Sequence, residues 1–431
     1  MKSTRNYPLL LASQFLGAFG DNAILAVIVG QLTLLQKAGD ITTDELRTRG
    51  TLYTSTLFLP YILLAPLAGY LNDRYAKTSW LAGGNLLKLL GTLVCALSIW
   101  FGYVWQALGY FIVGIGSAVY GPAKYGILPE ILPSDRLVKA NGMVELLTLL
   151  AILTGAIGGS VMVDQLPVSV CYLLVGGIFI ASLGLNFFMS KTPADHTVQL
   201  SASVGEFFGH LRSLLSGPRL GKVLIGTALF WVCGATMKIN FQAWGLEALQ
   251  LPDNTQIALL GLWLSVGVMI GSLAAGKFYP VSDLRHTRGF GLFLAGMLLA
   301  VFAIEPLGLQ HIGQHLITQL KPDGSTATVL AVLPVVMALL VGAGLAAGLF
   351  LIPLNASLQA ESDPTKLGKT IAVQNLFDNL GMMLAGLLVF FCVKAHLSAS
   401  QVFIALAVLV VVVIGWLRIP ALVKGEAKTG N

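Results

Sequence analysis

Charge is scarce in this sequence. Asp, Glu, Lys and Arg together make up 11% of its 431 residues, against about 25% in soluble globular proteins. A water-solvated surface over a chain of this length is excluded. Cysteine is also scarce. Its four copies, Cys95, Cys171, Cys233 and Cys392, are dispersed within apolar runs, and they lack the spacing of a metal site or a disulfide framework. They read as small buried hydrophobes. Histidine occurs six times, and none is followed five positions later by Asp. The H-x4-D pair of a glycerolipid acyltransferase is therefore missing. A serine nucleophile elbow and a phosphate-binding loop are missing as well. These gaps speak against an enzyme and against a metal or organic cofactor. The net charge of +6 does not suggest nucleic-acid binding, because the cations flank apolar runs.

Apolar sequence is abundant: 56% of residues are hydrophobic. Many runs exceed the roughly 18 residues that mark a membrane-spanning helix. They are too long and continuous for a membrane β-barrel. Twelve segments emerge, near 9–34, 51–71, 79–102, 105–123, 140–163, 169–189, 221–249, 257–277, 289–308, 329–354, 370–393 and 399–419. The first is too long for a signal-peptide core and is expected to remain as a span. Of the 26 Lys and Arg residues, Lys37, Arg47, Arg49, Lys321 and Lys394 fall on one side, Lys88 and Lys238 fall inside spans, and the remaining 19 fall on the other side. That bias predicts that both termini are cytoplasmic.

The longest polar stretch, about 190–220, divides the spans six and six. The expected organisation is residues 1–190 as one half, 191–220 as a cytoplasmic linker and 221–431 as the second half. Within the linker, Val204–Leu215 reads equally as a surface amphipathic helix or as plain connection. A second polar insert near 309–328 faces outside. The two halves also look alike in sequence. "GPAKYGILPEILPSDRLVKANGMVELL" ends span four and opens span five, and "IPLNASLQAESDPTKLGKTIAVQNLFDNL" does the same for spans ten and eleven. Pro122 matches Pro353, Glu130 matches Glu361, and after one gap Lys139 matches Lys369. Glu145 then falls opposite Asn375, and Thr148 opposite Asp378. An offset of six spans preserves orientation, so the repeats are parallel about an axis along the membrane normal.

The loop "GYLNDRYAK", 69–77, resembles the signature G-x-x-x-D-R-x-G-R of the major facilitator transporters. Gly69, Asp73 and Arg74 match, while Ala76 and Lys77 depart from it. The resemblance implies a cytoplasmic latch made by Gly69, Asp73, Arg74 and Lys77, with Lys124 close by at the end of span four. The implied fold is all-α, with twelve transmembrane helices in two six-helix halves.

Five ionisable residues lie inside spans: Asp21, Lys88, Glu145, Lys238 and Asp378. Each costs roughly 2.5–3.5 kcal/mol at a helix centre, so they must pair, become neutral or face water. By helical rise, Asp21 and Lys238 reach similar depths on symmetry-related spans, which makes them the expected ion pair. Gln374, Asn375, Asp378 and Asn379 share one helical face, as do Asn141, Glu145 and Thr148. With Asn22 beside Asp21, these residues form the candidate substrate site. The pairs Gly155–Gly159 and Gly267–Gly271 have small-xxx-small spacing. Glycine-rich span eight (Gly261, Gly267, Gly271, Gly276) is expected to pack closely when shut and to open a gap when shifted.

"QFLGAFGDNA", "GPAKYGIL", "LVKANGMVE", "GTALFWVCGATMK", "IPLNASLQ" and "AVQNLFDN" together resemble the bacterial lysophospholipid transporters, a major facilitator family. That resemblance implies a flippase in the inner membrane. It would carry lysophosphatidylethanolamine and related lysolipids from the outer to the inner leaflet. An acyltransferase would be its functional partner and membrane lipids its surroundings, and it would act as a monomer. Family members carry Arg where this chain has Lys238, so the two-pronged grip on phosphate is lost here. Two other classes stay open on the residues alone. One is a proton-coupled antiporter or drug exporter using Asp21 or Asp378, and the other is a non-transporting receptor.

Overall fold

The computed structural model describes residues 5–133, 137–194, 196–197, 199–278, 284–320, 326–362 and 367–419. Every expected span is helical. In chain order the first six are α1 (Asn6–Ala38), α2 with α3 (Thr43–Thr56, Phe58–Arg74), α4 with α5 (Lys77–Ala96, Ser98–Phe101), α6 (Val104–Gly126), α8 (Leu137–Gln165) and α9 (Val168–Phe187). A short helix α7 (Leu128–Ile131) lies between α6 and α8, and α10 (Leu200–Ser216) follows α9. The last six are α11 (Leu220–Glu247), α12 (Asn254–Phe278), α13 (Thr287–Ala303), α14 (Pro334–Glu361), α15 (Leu367–Lys394) and α16 (Gln401–Trp416). Ten spans are long and apolar enough to cross a membrane, and α13 and α16 are shorter apolar helices. In lipid, a helix satisfies every interior backbone polar group within one segment, which is why hydropathy alone locates these elements.

Local signals set several ends. Gly39 at φ 84° closes α1, with its N–H on the Gln36 carbonyl and that of Asp40 on Leu35. Thr42 and Glu45 form a reciprocal capping box that starts α2, so span two begins in polar sequence well before its apolar run. Span ten starts later than its apolar run. Thr326–Val332 is a β-strand paired antiparallel with His315–Leu320, and the helix begins only at Pro334. The alternating, β-branched "TATVLAV" suits a strand, and proline suits the first helical turn. Within the linker the helical alternative is realised: α10 buries Phe207 and Leu214 while Phe208 and Leu215 stay exposed.

The chain forms two compact units. The first holds residues 1–207, 241–246 and 251–259, and the second holds 208–240, 247–250 and 260–431. Helix pairing inside each follows one scheme. In the first unit α1 packs on α8, α4 on α6 and α9, and α3 on α6. In the second, α11 meets α15, α13 packs on α14 and α16, and α12 on α14. Each of these pairs corresponds to one six spans away in the other unit, as a parallel repeat requires.

Bare glycines set the closest approaches. A Cβ on Gly84 would stand 2.7 Å from the Gly116 carbonyl oxygen, and one on Gly91 2.6 Å from that of Gly109. This is how α4 lies directly against α6. Gly155 and Gly159 play the same part for α8, facing the Phe19 and Ala23 carbonyls of α1. The four cysteines are buried and unbridged.

Candidate functional site

The centre of the first unit is a buried ion pair. Asp21 on α1 accepts hydrogen bonds at Oδ2 from Lys88 Nζ on α4 (2.7 Å) and Ser117 Oγ on α6 (2.9 Å). The Lys88 side chain is 3% exposed and that of Asp21 15%. Lys88 leaves α4 between the two glycine contacts with α6, and its ammonium lies 5.0 Å over the Tyr120 ring. Asp21 Oδ1 is buried without a hydrogen-bond partner among the described residues. The counter-ion expected from sequence, Lys238, is therefore replaced by Lys88. Lys88 starts nearer the Lys/Arg-rich side than Asp21, and its four-carbon stem covers the difference in level.

Uncharged polar groups continue from this pair towards both membrane faces. On the Lys/Arg-rich side, Asn85 Nδ2 donates to Ser182 Oγ (2.8 Å) and Ser13 Oγ (3.2 Å), with the Asn186 amide beside them. Ser13 also meets Tyr120. On the opposite side, Gln106 Nε2 donates to Gln31 Oε1 (2.8 Å), which also accepts from Tyr172. Sequence reasoning misses these residues because single Ser, Asn and Gln carry no charge to account for and find partners on neighbouring helices. The only available signal is their recurrence on helices whose small residues permit close packing.

The other predicted site residues fall in several places. Asn22 Nδ2 turns back to the Ala18 carbonyl. Lys238 is exposed on α11. Its neighbours divide: Trp231 is 36% exposed, while Met237 and Phe241 are core residues, Phe241 stacking on Trp244. On α15, Gln374 donates to Asn355 of α14 (2.8 Å). Asn379 bonds the Asn375 carbonyl one turn back, and Asn375 itself is exposed. Asp378 is 6% exposed, with Thr227 and Trp231 of α11 beside its carboxyl. The polar face of α15 is thus shared between neighbouring helices and is not a single open stripe. Beyond their helical backbone, Gly69, Asp73, Asn141, Glu145 and Gly276 lie outside the described residues, so the roles expected for them have no geometry here.

At the Lys/Arg-rich ends, Lys77 Nζ meets Glu130 Oε1 on α7 at 2.5 Å. Arg74 lies over the Tyr70 and Tyr75 rings, and Lys124 donates to Thr148 Oγ1 at 3.4 Å. Glu361, the repeat counterpart of Glu130, is held by Arg219 through two bonds of 2.7 and 2.9 Å. Both repeated glutamates are therefore clamped, each by a cation of its own unit. Reversing Lys77 and Glu130 separately should each destabilise the first unit, and the double reversal should recover most of that loss. Thermal unfolding of the three variants checks this, and no recovery in the double variant would show that the pair contributes nothing.

Residues 10–314 match the Major Facilitator Superfamily. The lysophospholipid transporter of Photorhabdus laumondii is 35% identical over 388 residues, covering 88% of this chain and 87% of its own. That of Serratia proteamaculans is 34% identical with the same coverage. The chain belongs to the lysophospholipid transporter family of the major facilitator superfamily. It is a multi-pass membrane protein, and its relatives are named as transporters and not as enzymes. Among solved structures, a POT family transporter superposes with a TM-score of 0.71 at 15% identity, over 96% of this chain and 95% of that one. A D-xylose-proton symporter does so with a TM-score of 0.68 at 13% identity, over 98% and 99%. At these identities the likeness is one of fold.

Proposed function

We propose that this protein carries lysophospholipids, lysophosphatidylethanolamine among them, from the outer to the inner leaflet of the bacterial inner membrane. An acyltransferase on the cytoplasmic side, where both termini lie, then restores the second chain. The reading rests chiefly on agreement over 88% of the chain with relatives named for lysophospholipid transport. The residue chemistry fits. Asp21 has one carboxylate oxygen committed to Lys88 and Ser117 and one without a donor, and an ethanolamine ammonium would supply that donor. Lys238, exposed on α11, would meet the phosphate as a point charge. Asn22, Gln374, Asn375 and Asn379 would supply uncharged contacts, and Glu145 a second acidic one. Asp73, Arg74, Lys77 and Lys124 would close the cytoplasmic side.

Proteoliposomes holding labelled lysophosphatidylethanolamine or its diacyl counterpart test the substrate class. The monoacyl lipid should be carried at least about tenfold faster, since a passage that fits one acyl chain clashes with a second. Equal rates would favour a groove open to lipid and overturn the proposal. One observation keeps a proton-coupled exchanger as the second reading. Asp378 is 6% exposed and has no ion-pair partner among the described residues. Transport that follows an imposed pH gradient and is lost in Asp378→Asn would favour that reading.

A further inference from the structure

A cluster of cations lies on the second unit where α11 and α13 begin and α16 ends. Lys222, in the first turn of α11, donates to the Arg418 carbonyl at 2.6 Å, and its ammonium lies 5.8 Å over the Trp416 ring. Gly226, one turn further along α11, faces the Leu417 side chain. Arg288 stands in the first turn of α13, one turn before Gly291. A Cβ on Gly291 would collide with the Ile414 side chain of α16, so α13 and α16 run in direct contact there. Residues three apart share a helix face. Arg288 therefore leaves α13 on the side that meets α16, just beyond that contact. Arg418 lies about one turn past Ile414, just beyond the end of α16. Lys222, Arg288 and Arg418 thus gather at one end of the α13–α16 seam, and all three belong to the second unit.

This charge is not balanced locally. Arg288 and Arg418 are exposed, and neither has an ion-pair partner among the described residues. Helices α13 and α16 contain no Asp or Glu, and α11 has none before Glu247. In the turn before α13, Asp283 and Arg285 cancel in the count. The first turn of α13 has no side-chain cap, so its positive pole adds to the cluster. Next to the cations the surface becomes apolar. Trp416 is exposed, followed by Leu292 and Phe293 on α13 and Val411 and Val412 on α16. Cations, an interfacial tryptophan and an apolar wall stand in the order of a phospholipid's own parts: phosphate, glycerol level and acyl chains. A free anion has no use for the apolar wall, and a choline headgroup would bring its own cation to three others.

We propose that the end of the α13–α16 seam is a binding site for an anionic diacyl phospholipid of the surrounding leaflet, with Arg288, Arg418 and Lys222 on its phosphate. Arginine suits that contact because its planar fork matches phosphate oxygens. Neither Asp21 nor the carrier reading enters this proposal, and binding is its readout, so its failure leaves that reading untouched. The test uses the purified full-length chain, immobilised in detergent. It is equilibrated with equal amounts of phosphatidylglycerol and phosphatidylcholine of the same chains, and the retained lipids are counted by mass spectrometry. Phosphatidylglycerol should be retained at least about tenfold over phosphatidylcholine. Arg288→Gln with Arg418→Gln should bring the preference below about twofold. A second measurement needs no variant: raising salt to about 1 M should remove most of the preference of the unaltered chain. Equal retention of the two lipids, a preference that survives the double substitution, or one indifferent to salt would each overturn the site. Inorganic phosphate should leave the phosphatidylglycerol in place. Its complete displacement by phosphate would show a free-anion site and overturn the lipid assignment.

Discussion

Asp21→Asn should abolish nearly all transport and also lower thermal stability. The amide still offers an oxygen to Lys88 and Ser117, but it leaves the ammonium of a residue that is 2% exposed without a counter-charge. Breaking one side of a buried ion pair typically costs about 3–5 kcal/mol. The short Asp21–Lys88 distance of 2.7 Å places this pair in that class. Replacing both members, Asp21→Asn with Lys88→Met, removes the unmatched charge and should recover most of the stability. It should not recover transport, because the group proposed to meet the substrate ammonium is still gone. Unfolding midpoints in detergent, measured beside lysolipid uptake, separate the two effects. Wild-type uptake by the double variant would take Asp21 out of the transport mechanism.

Gly271→Trp should give no folded protein, and Gly271→Ala should already be harmful. By sequence alone Gly271 belongs to an opening seam, where bulk would block passage and spare the fold. The structure puts it against α14 instead. A Cβ on Gly271 would collide with the Leu345 carbonyl oxygen, and the reciprocal glycines Gly344 and Gly348 face the Leu264 and Val268 carbonyls of α12. A backbone carbonyl inside a helix cannot rotate away, so the two helices must separate along their length. Overpacking of this kind costs roughly 1–3 kcal/mol even for small additions, and an indole far exceeds that. Gly261, on the same helix, has open space where an added methyl would stand, with nothing within 4 Å. Gly261→Ala is therefore the matched control and should purify normally. The yield of monodisperse protein reads both. Normal yield and melting of Gly271→Trp would contradict the α12–α14 contact.

The twelve spans, the bias of cations to one face, the six-span repeat and the family are legible in the residues without any coordinates. Each is a property of a local run or of a motif at fixed spacing. A bilayer enforces helix on any apolar segment long enough to cross it, so little tertiary information is needed to find α1 or α14. The repeat likewise requires only that Pro122 and Glu130 be matched with Pro353 and Glu361.

The partners of those helices are another matter. In a soluble helix the apolar face points inward and announces its orientation. In α1 or α8 the lipid-facing side is as apolar as the packed side, so the rotation of each span, and with it the partner of Asp21, is not written in the period of hydrophobicity. Lys88 and Lys238 offer the same charge at reachable depths. Gly17, one turn before Asp21 on α1, decides for Lys88: a Cβ there would stand 3.5 Å from the Lys88 ammonium, so the bare backbone lets that ammonium lie along α1 and reach Asp21. Asp164 looks like an ordinary residue near the end of α8, because the four donors to its carboxylate, on Asn254 and Thr255, come from a segment about 90 residues further on. Hydropathy and spacing determined what crosses the membrane. Close packing at bare glycines, a contact between distant segments, determined which polar groups meet inside it.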